Sequence, residues 1–190
     1  MRCSAKRLFA PFIALGLAVT PVTAQEVVPT ARIRTHFDSL RATEPAFEQY
    51  RVPVPPPFTP AHPDVTTSET ARRYRTQIRE AVAAGPNFAG HYTLVEWGCG
   101  SGCQVTVVVD ARTGRVFDAS LTTAMGTAYR LDSDLLLADP ADTLARYFGG
   151  DTTLFTCGSC GTPAAYRWTG QRFEPVGPGP HPHLPSSPSP

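Results

Sequence analysis

From Ala89 onward, apolar and polar residues alternate with a period of two, and this pattern constrains the fold more than any other feature of the chain. The alternation predicts strands at 89–97, 104–109, 115–119, 127–131, 134–138 and 152–156, followed by a closing hairpin of 164–168 and 171–176. A two-residue turn in that hairpin would place Tyr166 opposite Phe173. The expected fold class is α+β, mainly an antiparallel β-sheet of about seven strands.

The clearest helix is predicted at 67–84, where an apolar stripe recurs at helical spacing. Thr66 and Glu69 would form a capping box at its start, and Gly85 with Pro86 would end it. This helix is expected to pack on the sheet. A helix is also predicted at 30–43, and a short one after Asp139 with Pro140 at its first position.

Residues 52–66 contain six prolines, which exclude a helix or a central strand and predict an extended connector. The favoured interpretation is a segment strapped across the domain surface, and the alternative is a Pro-rich ligand for another domain. With the helix at 30–43, this segment gives an N-terminal helical and Pro-rich arm at 25–66. A disulfide-stapled α+β domain is expected at 67–174, and a disordered Pro-rich tail at 175–190.

Residues 1–24 have the pattern of a secretory signal peptide, with a basic start and an apolar run at 8–19 that is too short to span a bilayer. Small residues at 22–24 predict cleavage before Gln25, and a retained membrane anchor is the alternative. We therefore expect a periplasmic or secreted protein of bacterial type. After cleavage, 14 arginines and 16 acidic residues leave a net charge of −2. That balance argues against nucleic acid and against an anionic membrane surface as partners.

Four cysteines follow the predicted leader: Cys99, Cys103, Cys157 and Cys160. An even number of cysteines in an exported chain indicates disulfides. Local pairing would close two glycine-rich turns, whereas crossed pairing would close loops of more than about 50 residues and remove more unfolded-chain entropy. Two functional alternatives stay open, a zinc site of four thiolates and a thiol-disulfide site at Cys157 and Cys160.

No convergent catalytic set stands out in the sequence. His91 is an isolated imidazole inside the predicted sheet, and its strand parity with Trp97 is typical of a half-buried structural histidine. His91, Glu96 and Trp97 are the candidate ligand-binding residues. A hydrolase using His91 with a carboxylate such as Glu96 is the alternative. We predict no catalytic residue, no metal and no cofactor.

Five parts of the sequence form a recurring set of motifs: an Asn-Phe-Ala-Gly-His-Tyr strand at 87–92, a Trp-Gly-Cys-Gly-Ser-Gly-Cys turn at 97–103, an Asp…Thr-Gly hairpin at 110–114, an Asp-Ser-Asp-Leu-Leu segment at 132–136, and a closing Tyr-Arg-Trp…Phe hairpin at 166–173. Together they resemble a family of exported bacterial proteins that carries no assigned activity. The resemblance covers about residues 70–175. It implies export and transfers no chemistry.

The sequence as a whole predicts an exported, disulfide-stabilised binding or structural module of the cell envelope. Its partner would be an envelope protein or a small ligand, with no nucleic acid and, after signal cleavage, no membrane. This expectation rests on abundant stabilising features and on the lack of a recognisable catalytic motif.

Overall fold

A computed structural model describes residues 30–148 and 161–177, which fold as α+β with seven antiparallel strands. The first sheet contains β1 (Tyr92–Gly100), β2 (Cys103–Asp110) and β3 (Val116–Thr123), in that order. The second sheet contains β4 (Thr127–Tyr129), β5 (Leu135–Ala138), β6 (Ala164–Trp168) and β7 (Phe173–Val176), also in chain order. The expected fold class is therefore correct, and the strands are divided between two sheets.

The division occurs at the turn between β3 and β4. The Asp139 carboxylate accepts hydrogen bonds from the backbone N–H groups of Ala124 and Met125, at 3.0 and 2.6 Å. Gly126 follows with a φ of +97°, a conformation that favours glycine. The chain therefore turns away from β3 and enters the second sheet, which an alternation pattern alone does not encode.

Two predicted strand details are wrong. β1 begins at Tyr92 rather than at residue 89, because Ala89 and Gly90 have φ values of +44° and +84° and form a turn. In the closing hairpin, Phe173 lies opposite Trp168, and Tyr166 lies opposite Pro175. The connection spans four residues instead of two, so the register is shifted. The predicted strand at 152–156 lies outside the described residues.

The helices are α1 (Thr30–Thr43), α2 (Glu69–Arg73), α3 (Arg75–Ala83) and α4 (Ala141–Phe148), with a 3-10 helix at Phe47–Tyr50. The helix predicted at 67–84 is divided at Tyr74, whose φ and ψ of −105° and 25° are not helical. Its predicted capping box is also wrong. Ser68 caps α2 by accepting from the Ala71 N–H at 3.0 Å, while the Thr66 hydroxyl donates to Asp64.

The two sheets enclose an inter-sheet core that includes Leu94, Val108, Leu136 and Trp168. The outer face of the first sheet packs against α2 and α3 through Ile78. The 3-10 helix packs on Leu135 and Leu137 of the second sheet, and α1 packs on α4. Both sheets therefore have apolar residues on both faces, which explains the continuous apolar runs in β2 and β5.

The Pro-rich segment 52–66, called the strap below, crosses the domain surface and is fastened at both ends. Val52 N–H donates to the Asp132 carbonyl at 3.0 Å, next to a bridge between Arg51 and Ser133. At the other end, Ala61 N–H donates to the Ala111 carbonyl at 2.8 Å and Asp64 N–H to the Gly114 carbonyl at 2.7 Å. Residues 52–64 form neither helix nor strand, and the backbone of the strap bonds to the domain.

β7 continues through Pro175 and Val176, two residues into the segment predicted to be disordered, because both residues pair with β6. Among the helices of the described residues, none has the length and apolar character needed to cross a bilayer.

Candidate functional site

His91 precedes β1 and is fixed mainly by packing. Its ring centroid lies 4.2 Å from that of Tyr92, and its backbone carbonyl accepts from the Ala111 N–H at 3.1 Å. The nearest carboxylate oxygen, Asp110 Oδ1, is 3.7 Å from Nε2, beyond hydrogen-bond distance. Burial lowers the pKa of His91, the charge of Arg112 lowers it further, and Asp110 partly opposes them.

The Asp110 carboxylate is already used by the turn between β2 and β3. Its Oδ1 accepts from the Arg112 N–H at 2.8 Å, and its Oδ2 accepts from the Thr113 hydroxyl at 2.9 Å. These bonds hold the turn, so Asp110 is poorly placed to orient an imidazole for proton transfer. His91 therefore stacks on Tyr92 and lies outside hydrogen-bond reach of Asp110.

Trp97 and Glu96 are neighbours in sequence that lie on opposite faces of β1. Trp97 belongs to the helix-covered face, where its ring centroid lies 4.4 Å from that of Tyr74. Glu96 points to the side of the second sheet, where the Thr127 hydroxyl donates to its Oε2 at 2.5 Å. The structure therefore does not bring His91, Glu96 and Trp97 together into one site.

Glu96 is the centre of a group of polar side chains that we call the polar cluster. Its members share the inward face of the first sheet near the Cys99–Cys103 turn, or face it from β4: Glu96, Gln104, Thr106, Thr123 and Thr127. Burial raises the pKa of Glu96, hydrogen bonds from Thr127 oppose this rise, and the nearby charge of Asp139 adds to it. Burial raises the pKa of Tyr129, and the charge of Glu96 raises it further.

The strand register shows why these side chains converge. Glu96 is the Cα partner of Thr106, and Gln104 is the partner of Thr123. Partners in antiparallel strands point to the same face, with Cβ atoms about 4.5–5.5 Å apart. Val108, two residues after Thr106, lies in the inter-sheet core, which fixes the face as the inner one.

Two buried hydroxyls of the polar cluster have no hydrogen-bond partner among the described residues. Thr106 is 0% exposed and Thr123 is 2% exposed, and neither Oγ1 atom is paired. Buried polar groups in proteins are nearly always bonded to protein or to water, and leaving one unsatisfied costs about 1–3 kcal/mol. Since Glu96, Gln104 and Thr127 above them are only half-buried, the cluster extends from these hydroxyls toward the surface.

Gly126 closes the cluster on the side of the second sheet. A Cβ atom at this position would lie 2.8 Å from Glu96 Oε1 and 3.5 Å from both terminal atoms of the Gln104 amide. Only a glycine therefore lets the backbone approach these two side chains so closely. Asp139, which holds the same turn, is fully buried.

A disulfide joins Cys99 to Cys103 at the tip of the β1–β2 hairpin. This is the local pairing, and it excludes both the crossed pairings and a zinc site made of four thiolates while the disulfide is intact. The exposed glycine-rich turn brings the two cysteines together, with Gly100 paired to Cys103 in the ladder. Cys157 and Cys160 lie outside the described residues, as does the proposed thiol-disulfide site there.

Other features of the described surface offer less chemistry. A groove of about 410 Å³ lies between the strap and the end of α3, lined only by Val, Pro, Phe, Ala, Gly and Leu. Such a lining lacks the converging polar groups that orient a small ligand. In the described ranges, no group of three or more His, Cys, Asp or Glu side chains is arranged to hold a metal ion.

Sequence reasoning identified Glu96 but missed its neighbours in the polar cluster. Gln104, Thr106 and Thr123 have ordinary strand compositions, and their convergence depends on register. Asp139 was assigned only to the start of a helix, whereas its carboxylate binds the turn before β4. A polar residue at an inward position of a buried strand, as Thr106 is, was the one available signal.

Comparison of the chain with protein-family models, with curated proteins and with solved structures found no match.

Proposed function

We propose that the protein is an exported, disulfide-stabilised binding module of the bacterial cell envelope, and that the polar cluster is its site for a small ligand. The observation that carries this proposal is the pair of buried, unpartnered hydroxyls of Thr106 and Thr123 beneath the half-buried Glu96. Hydroxyls in this position are satisfied when a polar molecule or ion enters between the sheets.

Export is supported by the sequence of residues 1–24 and is compatible with the disulfide. A basic start, a short apolar run and small residues before Gln25 are typical of a cleaved leader. The Cys99–Cys103 disulfide is of a kind that persists in oxidising compartments. Intact-mass measurement of the protein recovered from the envelope should give a chain that begins at Gln25. A chain that begins at Met1 would contradict export through cleavage.

Ligand binding can be tested by amide NMR of the mature protein. The probe is the low-molecular-mass filtrate of an envelope extract. We expect chemical-shift changes concentrated at the backbone amides of Thr106, Thr123 and Gly126, and their loss in a Thr106→Val variant. Unchanged spectra, or changes confined to other surfaces, would contradict the assignment of the site.

The hydrolase that uses His91 is the alternative function, although Asp110 Oδ1 lies 3.7 Å from its Nε2 and is bonded within its own turn. It predicts that His91→Ala abolishes turnover of an envelope substrate while folding is retained. The binding-module proposal predicts the opposite result, in which His91→Ala lowers stability and leaves ligand-induced NMR changes intact. Measuring both quantities on the same variant separates the two functions.

A further inference from the structure

We propose that the polar cluster binds a calcium ion, an inference that deepens the proposed function and depends on it. The cluster places the Glu96 carboxylate, the Gln104 amide and two buried threonine hydroxyls on one face at the end of the first sheet. Three properties of the cluster favour a cation: the chemistry of these donors, the charge of Glu96 and the two buried hydroxyls that have no partner among the described residues.

The donor atoms are those that a hard cation prefers. Carboxylate, amide carbonyl and hydroxyl groups all present oxygen, and oxygen ligands suit Ca²⁺ and Mg²⁺ rather than zinc or copper. The sulfur atoms of Cys99 and Cys103 are joined in a disulfide and are not thiolates. The donor set therefore points to an alkaline-earth ion.

Glu96 is the one member of the polar cluster with an acidic side chain, so the charge of the cluster is negative. Within the described parts of the chain, no arginine or histidine forms an ion pair with Glu96. Asp139 adds a second negative charge close enough to act on Glu96. A cation bound beside Glu96 would be attracted by the charge of this carboxylate.

The hydroxyls supply the independent indication of a ligand. Thr106 Oγ1 and Thr123 Oγ1 are more than nine-tenths buried and unpartnered, and the register directs both toward the side of Glu96 and Gln104. The Thr127 hydroxyl donates to Glu96 Oε2, which fixes the Glu96 carboxylate relative to the two threonine hydroxyls. An ion in the cluster would therefore satisfy both hydroxyls and bind the carboxylate.

Calcium fits this arrangement better than magnesium. Ca²⁺ accepts six to eight oxygen ligands in irregular geometry, while Mg²⁺ requires a near-ideal octahedron. The cluster has one carboxylate among its donors, and the rest are neutral oxygens. We therefore expect weak binding, with a Kd of about 10⁻⁴–10⁻³ M, the range of extracellular calcium modules.

The test is calorimetric titration of CaCl₂ into the metal-stripped mature protein, with thermal unfolding measured in parallel. We expect one calcium ion per chain and a rise in Tm with CaCl₂ that NaCl at equal ionic strength does not reproduce. MgCl₂ should bind at least about tenfold more weakly, since its coordination is stricter. Absence of calcium binding up to about 10 mM, well above that range, would overturn the proposal.

Two isosteric variants locate the ion. Glu96→Gln should abolish binding, and Thr106→Val should weaken it by about tenfold or more, as the loss of supporting groups at metal sites does. Neither variant should destabilise the calcium-free protein strongly, since one removes an uncompensated charge and the other an unpartnered hydroxyl. Calcium binding that is unchanged in both variants would overturn the assignment.

Thr93→Val is the matched control. Thr93 is also fully buried in the first sheet, but its hydroxyl donates to the Gly85 carbonyl at 3.2 Å on the other face. This variant should lower the stability of the calcium-free protein and leave calcium binding intact. If Thr93→Val weakened calcium binding as much as Thr106→Val, the effect would be one of general stability and the proposal would be wrong.

Failure of this inference can be told apart from failure of the proposed function. The envelope filtrate used for NMR is passed through a chelating resin and tested again. Loss of the shifts at Thr106 and Thr123, with recovery on adding CaCl₂, would support calcium. Shifts that persist after chelation would overturn calcium while the binding module stands, and no shifts with either filtrate would overturn the binding module itself.

Discussion

Gly90 is one of two glycines at which an added side chain would collide with the backbone of the strap. It has a φ of +84°, and a Cβ atom there would lie 2.5 Å from the Pro53 carbonyl oxygen. Its N–H donates to the Leu131 carbonyl at 2.6 Å. Gly90, which lies in the turn before β1, therefore contacts both the strap and the loop before β5.

We predict that Gly90→Ala lowers the free energy of unfolding more than Gly85→Ala does. Gly85 also has a positive φ, +99°, but a Cβ atom there would meet nothing within 4 Å. Gly85→Ala should therefore show only the backbone penalty of about 1–2 kcal/mol. Gly90→Ala should exceed it by at least about 1 kcal/mol because the strap must move. Urea unfolding measures both variants, and equal losses would show that the strap does not press on Gly90.

His91 should make the stability of the protein depend on pH. Burial lowers its pKa below the ordinary value of 6.5, so the unfolded chain binds the proton more tightly than the folded chain. The contribution of neutral His91 is therefore complete above about pH 6.5 and is lost as the pH falls below that value.

The measurement compares wild type with His91→Gln. The free energy of unfolding of wild type should fall more steeply than that of the variant between about pH 7 and pH 5, the range in which histidine titrates. Equal slopes would show that His91 titrates alike in both states.

At the scale of elements, the disulfide acts on a hairpin that pairing already holds. β1 and β2 pair from Tyr92–Asp110 to Gly98–Gln104, with an irregularity between Gly98 and Gly100 just before the disulfide. The covalent bond therefore closes a short loop at the end of the ladder. Its effect should be local and mainly on the unfolded chain.

We predict that the double variant Cys99→Ser, Cys103→Ser lowers the free energy of unfolding by about 2 kcal/mol, the loop-closure entropy of so short a loop. The hairpin itself should persist, with unchanged amide hydrogen exchange at Val107 and Val108. The variant is preferable to a reductant, which would also act on the other cysteines. Loss of protection at Val107 would show instead that the disulfide maintains the register.

The elements themselves were largely readable from the sequence. α1 begins and ends as predicted, because Ile33 and Phe37 recur at helical spacing and both become buried. The strands could be predicted because apolar and polar residues alternate along the sequence from Ala89 onward. The sequence does not predict the division of the long helix at Tyr74, since Arg73, Tyr74 and Arg75 are all tolerated in a helix.

The candidate site was far less readable than the elements. Which strands pair, and in which register, decides that Thr106 faces Glu96 and that Thr123 faces Gln104. A shift of one residue would turn every one of these side chains to the other face. Prediction of the closing hairpin failed for the same reason, since the four-residue turn places Trp168 and not Tyr166 opposite Phe173.

At the scale of the whole molecule, the two sheets share one core. Leu94, Val108 and Leu121 of the first sheet pack with Leu136 and Trp168 of the second. Neither sheet can lose this contact without exposing the inner face of the other. We therefore expect the described domain to unfold as a single unit.

The test uses Leu136→Ala in a Trp168→Phe background, where Trp97 is the only tryptophan left. Leu136 is fully buried in the second sheet, so its truncation should cost about 2–5 kcal/mol. Trp97 lies on the far face of the first sheet and should report the same loss by fluorescence as circular dichroism does. A Trp97 transition that stays at the midpoint of the background protein would show that the sheets unfold independently.

The strap links positions that are far apart in the chain, and this has a consequence for how the protein can diverge. The ideal Cβ of Gly114 would lie 2.0 Å from the His62 carbonyl oxygen, and that of Gly90 2.5 Å from the Pro53 carbonyl oxygen. Natural variants that gain a side chain at either glycine should therefore carry a lengthened or rerouted segment between Arg51 and Val65. Descendants that keep the prolines should inherit both glycines with them, so that the three features persist or disappear together.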